Sequence, residues 1–134
     1  MIFRRKALPP DLQAVHGVFA DQVRRMEEAR DALMSCLPVG RVDPAPVPVG
    51  LELLDDVLAE LRTELGGWRV PPLEGEWQLC VEAIAESREN IATARRIATS
   101  STELEQLLGA VEDVDEPLGY AFKQAELRFR SLRR

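Results

Sequence analysis

The chain has few of the residues that common catalytic and metal sites need. It contains one histidine, His16, and two cysteines, Cys36 and Cys80, in 134 residues. One histidine cannot supply the two Glu-x-x-His motifs of a di-iron bundle. The cysteines fit no zinc or redox spacing and form no disulfide framework, so we expect both to stay reduced. Since the sequence also shows no glycine-rich phosphate loop and no nucleophile beside a base, we expect no enzyme activity, no cofactor and no metal.

Sheet-forming residues and long apolar runs are also scarce. Aromatic residues make up 5% of the chain, and leucine, alanine, glutamate and arginine, all good helix formers, dominate it. No run approaches the 18 apolar residues of a membrane span. Pro9, Pro10 and Asp11 stand where a signal peptide would need an apolar stretch. We therefore expect a soluble, cytoplasmic, all-α protein, and the excess of arginine over lysine fits a GC-rich bacterial genome.

The chain does contain four apolar stripes at helical spacing. They predict one domain, residues 1–134, with helices over about 10–37, 51–66, 74–100 and 102–133. Pro117 interrupts the last stripe, which predicts a break near 115–117: one kinked helix, or two helices nearly in line. Three segments of matched length favour an antiparallel up-down four-helix bundle. The proline-rich residues 38–50 predict a stiff, extended linker between helices 1 and 2.

Charge is segregated along this chain. The net charge is −6, yet all 23 acidic residues lie between residues 7 and 127, where only 10 basic residues accompany them. The two ends hold seven basic residues and no acidic one. An even number of antiparallel helices brings both ends, and the connection between helices 2 and 3, to one pole. The ends would then form one cationic surface on an acidic rod.

This pole is the predicted contact surface of a non-enzymatic interaction module, an adaptor, regulator or assembly component that binds a protein partner. Arginine and tryptophan are common hot-spot residues. The candidate contacts are Arg4, Arg5, Lys6, Trp68, Arg69, Arg128, Arg130, Arg133 and Arg134. The same charges also have a purely structural interpretation, because basic residues near a helix C-terminus complement its dipole. Binding of nucleic acid or an anionic membrane through the basic termini is a further alternative, although the domain is acidic and has no such motif.

His16 supports a different hypothesis. It lies beside Val15 in the first predicted helix, just off the apolar stripe. A lone histidine on a helical bundle resembles the histidine phosphotransfer domains, in which the phosphorylated histidine faces solvent. The resemblance implies a phosphotransfer protein or an enzyme centred on His16. No lysine lies near His16 in the sequence, and a partly exposed histidine without a catalytic role is the simpler interpretation.

The second helix also bears on self-association. Its apolar set covers more than half of the helical circumference: Leu51, Leu53, Leu54, Val57, Leu58, Leu61 and Leu65. A helix with so wide an apolar face is either deeply buried or shared with a second chain. Three partner helices within the chain would bury it, and so would a homodimer.

Overall fold

The chain is all-helical over the residues that its computed structural model describes, 6–37, 46–100 and 103–134, and none of these residues is in a strand. The four helices are α1 (Pro10–Ser35), α2 (Val47–Glu64), α3 (Glu74–Ser100) and α4 (Leu104–Ser131). Two short 3-10 turns, Leu65–Trp68 and Pro71–Leu73, connect α2 to α3. The prediction of an all-α fold with four helices is confirmed. None of the helices in these ranges combines the length and the apolar character that a membrane crossing requires.

Two of the helices have a proline in their first turn. Pro10 is the first residue of α1, and Pro48 is the second residue of α2. Backbone N–H groups in the first turn have no acceptor within the helix, so the missing N–H of proline costs nothing there, and the fixed φ angle of proline suits the helix. The predicted start of helix 2 at residue 51 was wrong for this reason: α2 begins at Val47, inside the proline-rich stretch. The rest of the predicted extended linker, residues 38–45, lies outside the described residues.

Pro117 lies inside α4, which is one continuous helix. A proline in a helix interior cannot donate to the carbonyl four residues earlier, here that of Asp113. The side-chain amide of Asn90 on α3 donates to this carbonyl at 2.9 Å instead. The buried hydroxyl of Ser87 donates to the next carbonyl, that of Val114, at 2.8 Å. Two polar side chains of α3 thus satisfy the backbone of α4 around its proline, while the kink itself stays a prediction.

The helices enclose one core, in which α1 packs on α2, α2 on α3 and α3 on α4. Where two consecutive helices touch, residues later in the first helix contact residues earlier in the second. Gln22 bonds to the carbonyl of Glu64, whereas Leu33, further along α1, lies against Gly50. Ser87 meets Val114, whereas Arg128 lies 4.0 Å from Glu76. This is the order of contacts that antiparallel neighbours make.

Most of the apolar face of α2 is buried within the chain. Five leucines of the predicted set are fully buried: Leu51, Leu54, Leu58, Leu61 and Leu65. Leu53 keeps 46% of its surface exposed, and Val49, one turn earlier, keeps 56%. The neighbouring helices therefore cover the centre of this face and leave its outer edge in solvent. Self-association through α2 stays a prediction.

The close approach of α1 to α2 depends on Gly50. A Cβ atom at this position would lie 3.0 Å from both the Cα of Leu33 and the Sγ of Cys36. We expect Gly50→Ala to lower the free energy of unfolding by about 1–3 kcal/mol, because overpacking against backbone outweighs the helix propensity of alanine. The control is Gly109→Ala in α4, where a Cβ would meet nothing within 4 Å. That variant should gain about 0.5–1 kcal/mol in the same urea titration. Equal effects at both positions would contradict the close approach.

Candidate functional site

The two ends of the described chain are hydrogen-bonded to each other. The backbone N–H of Ala7 donates to the carbonyl of Arg134 at 3.1 Å, and the N–H of Arg134 donates back to the carbonyl of Ala7 at 2.9 Å. This pairing places Lys6 next to Arg133 and Arg134, and all three side chains are exposed. We call Lys6, Ala7, Arg133 and Arg134 the joined ends. Arg4 and Arg5 lie outside the described residues.

Three of the predicted contact arginines are occupied by neighbours within the chain. Arg69 forms a two-pronged ion pair with Glu74, at 2.8 Å for its shortest contact, and its guanidinium lies 4.2 Å from the ring centroid of Trp77. Arg128 donates to the carbonyl of Pro72 at 3.0 Å. Arg130 pairs with Glu126 at 3.2 Å. These arginines sit near the predicted pole, but neighbouring carboxylates offset part of their charge.

Arg69 and Glu74 form an ion pair in which both side chains are ionised. Its hydrogen bond lowers the pKa of Glu74 and raises that of Arg69. Both groups are open to solvent, so the pair adds little to stability. The pair links the short connection between α2 and α3 to the first turn of α3.

Trp68 does not lie on the contact surface, and this part of the prediction was wrong. Its side chain is fully buried, with its ring 5.0 Å from that of Phe19. The indole N–H donates to the side-chain oxygen of Gln22 at 3.0 Å, and the Gln22 amide donates to the carbonyl of Glu64 at 2.9 Å. The α2 helix ends at Glu64, close to the predicted end at residue 66, and the chain continues as the 3-10 turn Leu65–Trp68, which carries Trp68 inward. Sequence reasoning missed Gln22, although its place between Phe19 and Met26 on the apolar stripe was a signal.

His16 belongs to the same end of the molecule. Its ring lies edge-on to Phe129, with 4.9 Å between centroids. Partial burial is the main cause that lowers the pKa of His16, and the positive charge of Arg133 lowers it further, against an opposing effect of Glu126. The imidazole is therefore uncharged at neutral pH. The structure thus brings the two sequence hypotheses, the basic ends and His16, to neighbouring positions.

The lowered pKa of His16 makes stability depend on pH. Below the usual value of 6.5 the unfolded chain takes up a proton more readily than the folded one. The contribution of His16 to the free energy of unfolding is therefore fully present above that pH and is lost as the solution is acidified. Between pH 7.5 and 5.5 we expect wild type to lose more free energy of unfolding than His16→Gln, by less than about 1 kcal/mol because the ring is only partly buried. Urea titrations at both pH values measure this difference, and identical losses would contradict it.

The two thiols and the carboxylates show no reactive arrangement in the described ranges. Cys36 and Cys80 are both free and buried. Burial raises the pKa of the Cys80 thiol to about 12, so it stays protonated and a poor nucleophile. Within the same ranges no group of three or more histidine, cysteine or carboxylate side chains could hold a metal ion.

A second surface, which sequence reasoning did not single out, lies between the outer faces of α3 and α4. We call it the acidic trough. It is a shallow cavity of about 410 Å³ lined by Glu86, Asn90, Asp113, Glu116, Pro117 and Tyr120. A neighbouring cavity of about 240 Å³ shares Asn90 and Asp113 with it and adds Glu105. The sequence alone does not reveal this surface, because it depends on which faces of two helices meet.

Comparisons with protein-family models, with curated proteins and with solved structures give no match to this chain. The function therefore has to be inferred from the geometry and charge of the surfaces described above.

Proposed function

We propose that this protein is a non-enzymatic interaction module, an adaptor, regulator or assembly component of the cytoplasm, that binds a protein partner through its joined ends. One observation carries the proposal. Lys6, Arg133 and Arg134 are exposed, make no ion pair within the described part of the chain, and are held together by two backbone hydrogen bonds. Cations on a fixed backbone lose little conformational freedom on binding. The surface suits an acidic segment of a partner.

The proposed surface is smaller than the one predicted from the sequence. Trp68 is excluded by burial, and Arg69, Arg128 and Arg130 are engaged by Glu74, the Pro72 carbonyl and Glu126. These arginines serve mainly to hold the turn before α3 and the last turn of α4 beside the joined ends. Arg4 and Arg5, the other predicted contacts at this end, directly precede Lys6 in the sequence and lie outside the described residues.

The architecture behind the proposal is an antiparallel up-down bundle with a kink in α4 at Pro117. Two findings support it: the opposed residue numbers of the contacts between consecutive helices, and the hydrogen bonds between the two ends. The kink is supported by the carbonyl of Asp113, which accepts from Asn90 rather than from the helix. In such a bundle both ends emerge at one pole, where a single partner can reach them together.

The test compares two triple variants in affinity capture from the native host. One variant reverses the joined ends, Lys6→Glu with Arg133→Glu and Arg134→Glu. The control, Arg24→Glu with Arg95→Glu and Arg96→Glu, makes the same change in net charge at exposed positions on α1 and α3. We expect wild type and the control to retain the same protein partner and the reversed ends to lose it. The wild-type complex should weaken as salt rises from about 50 to 500 mM, because exposed charges are screened.

Further outcomes of the capture experiment, together with three added tests, distinguish the alternatives. Retention of the partner by the reversed ends would contradict the proposal. A partner lost on His16→Ala, or a phosphoryl group added to wild type by a phosphodonor, would favour the phosphotransfer or enzyme hypothesis. Salt-dependent binding to DNA or anionic vesicles without any protein partner would favour the nucleic-acid or membrane alternative.

A further inference from the structure

We propose that the partner of the joined ends is a second copy of this chain, which receives them in its acidic trough. The inference rests on the proposed role of the joined ends and names the partner and its binding site. The contact is head-to-tail, since the basic surface of one copy meets a different, acidic surface of the next.

Charge is the first observation behind this pairing. Glu86, Asp113 and Glu116 line the trough, are exposed, and form no ion pair among the described residues. Some other surface charges do pair across helices, as Arg25 does with Glu60 and Arg88 with Asp55. Unpaired negative charge thus lines α3 and α4, and unpaired positive charge lies at the joined ends of the same molecule. Complementary potentials of this kind set the register and partner of an interface.

The lining of the trough suits arginine in particular. Tyr120, which keeps 63% of its surface exposed, and Pro117 line the trough together with the acidic side chains. A guanidinium stacks well on an aromatic ring, and the stem of arginine covers apolar surface. The carbonyl of Asp113 already accepts from Asn90, so this backbone group needs no donor from the bound segment.

The joined ends of a molecule cannot occupy its own trough. The last turn of α4 is held at the pole, where Arg128 bonds to Pro72. Asp113 lies fifteen residues earlier on the same helix, which corresponds to about 22 Å along its axis. The contact therefore joins two molecules. Because the two surfaces differ, a bound pair still offers one free trough on one copy and one set of free ends on the other, and the association can extend into chains.

The experiment measures the mass of the purified protein by light scattering and sedimentation velocity. At about 20 mM salt we expect masses above the 15.0 kDa monomer, returning towards the monomer at about 500 mM salt. Reversed ends (Lys6, Arg133 and Arg134→Glu) and a reversed trough (Glu86, Asp113 and Glu116→Lys) should each weaken association at least about tenfold, because attractive pairs become repulsive. The matched control reverses Asp31, Glu52 and Asp56, exposed acids on α1 and α2 that form no ion pair among the described residues, and should associate like wild type.

Mixing the two reversed variants gives the decisive result. The basic ends of one variant meet the acidic trough of the other, and the acidic ends meet the basic trough, so both contacts between unlike variants are attractive. Their mixture should therefore associate, although neither variant does so alone. Circular dichroism checks that both variants remain helical. Wild type that stays monomeric at about 20 mM salt, or a reversed trough that associates like wild type, would overturn the inference. In either case capture of a foreign partner through the joined ends would still support the proposed function.

Discussion

Trp68→Ala is expected to lower the free energy of unfolding by about 3–5 kcal/mol, the largest effect of any single substitution considered for this protein. The side chain is fully buried and packs 5.0 Å from the ring of Phe19 and 6.3 Å from that of Phe129. Its removal leaves a cavity between α1, α4 and the turn after α2. It also deprives the buried side-chain oxygen of Gln22 of its donor, which adds a desolvation cost.

Two companion variants separate these contributions. Trp68→Phe keeps much of the packing but loses the indole N–H, so its loss should be smaller, about 1–3 kcal/mol. Adding Gln22→Leu removes the unsatisfied oxygen but also the bond to the Glu64 carbonyl, so the double variant measures how strongly the two residues are coupled. Unfolding is best followed by circular dichroism, since Trp68 is itself a fluorophore. Tyr120→Ala, at an exposed ring, is the control and should change stability by less than about 0.5 kcal/mol.

The same variant distinguishes the two roles that were considered for Trp68. If Trp68 were a surface hot spot, Trp68→Ala would leave stability unchanged and would abolish binding of the partner. As the core residue that the structure shows, it costs stability, and binding persists wherever the variant is still folded. A Trp68→Ala protein with wild-type stability would contradict its burial.

The helices were largely predictable because each carries its own signal. Apolar residues at three- and four-residue steps located α1, α3 and α4 to within a few residues, and an even count of helices predicted that the two ends meet. Pro48 is ambiguous in the sequence, because proline is compatible with the first turn of a helix as well as with a linker. The spacing of apolar residues does not decide between the two. The structure does, because Val47 is buried in the core at the start of α2.

The candidate site was harder to predict because it depends on contacts between distant segments. The basic charge of the ends was visible in the sequence. The partners of Arg128, however, are the Pro72 carbonyl and the Glu76 carboxylate, and Pro72 lies 56 residues earlier in the chain. The inward turn of Trp68 depends on Gln22, which lies 46 residues earlier. The acidic trough required knowing that Glu86 and Asp113 lie on adjoining faces. Composition can place charge on a chain, but tertiary contacts decide which of it remains available to a partner.

Asp115→Ala is expected to lower the free energy of unfolding by about 1–3 kcal/mol. Asp115 on α4 accepts two hydrogen bonds from Arg30 on α1, at 2.7 and 3.0 Å. The side chain of Arg30 is only 16% exposed, and Gly119 makes room for it, since a Cβ there would lie 2.9 Å from its guanidinium. Removing Asp115 leaves a mostly buried charge whose one remaining ion-pair partner among the described residues is Glu27. The cost lies between that of an exposed and a buried broken pair.

Two comparisons test whether burial is the cause. The double variant Arg30→Met with Asp115→Leu removes both charges and should recover at least half of the loss, because apolar side chains of similar size replace a buried pair at little cost. Glu28→Ala removes a partner of Arg24 from a pair whose side chains are 59% and 68% exposed. This control should lose less than about 0.5 kcal/mol. Equal losses for Asp115→Ala and Glu28→Ala would show that the Arg30 pair behaves as an ordinary surface contact.

Asp115→Ala also separates stability from binding. The joined ends are held by the backbone bonds between Ala7 and Arg134, which do not involve Asp115. Below its unfolding temperature Asp115→Ala should therefore bind like wild type, although it is less stable. Reversal of Lys6, Arg133 and Arg134 should show the opposite pattern, with near wild-type stability and lost binding, because these side chains form no ion pair among the described residues. Binding that fell in proportion to stability across both variants would mean that the contact surface is not the joined ends.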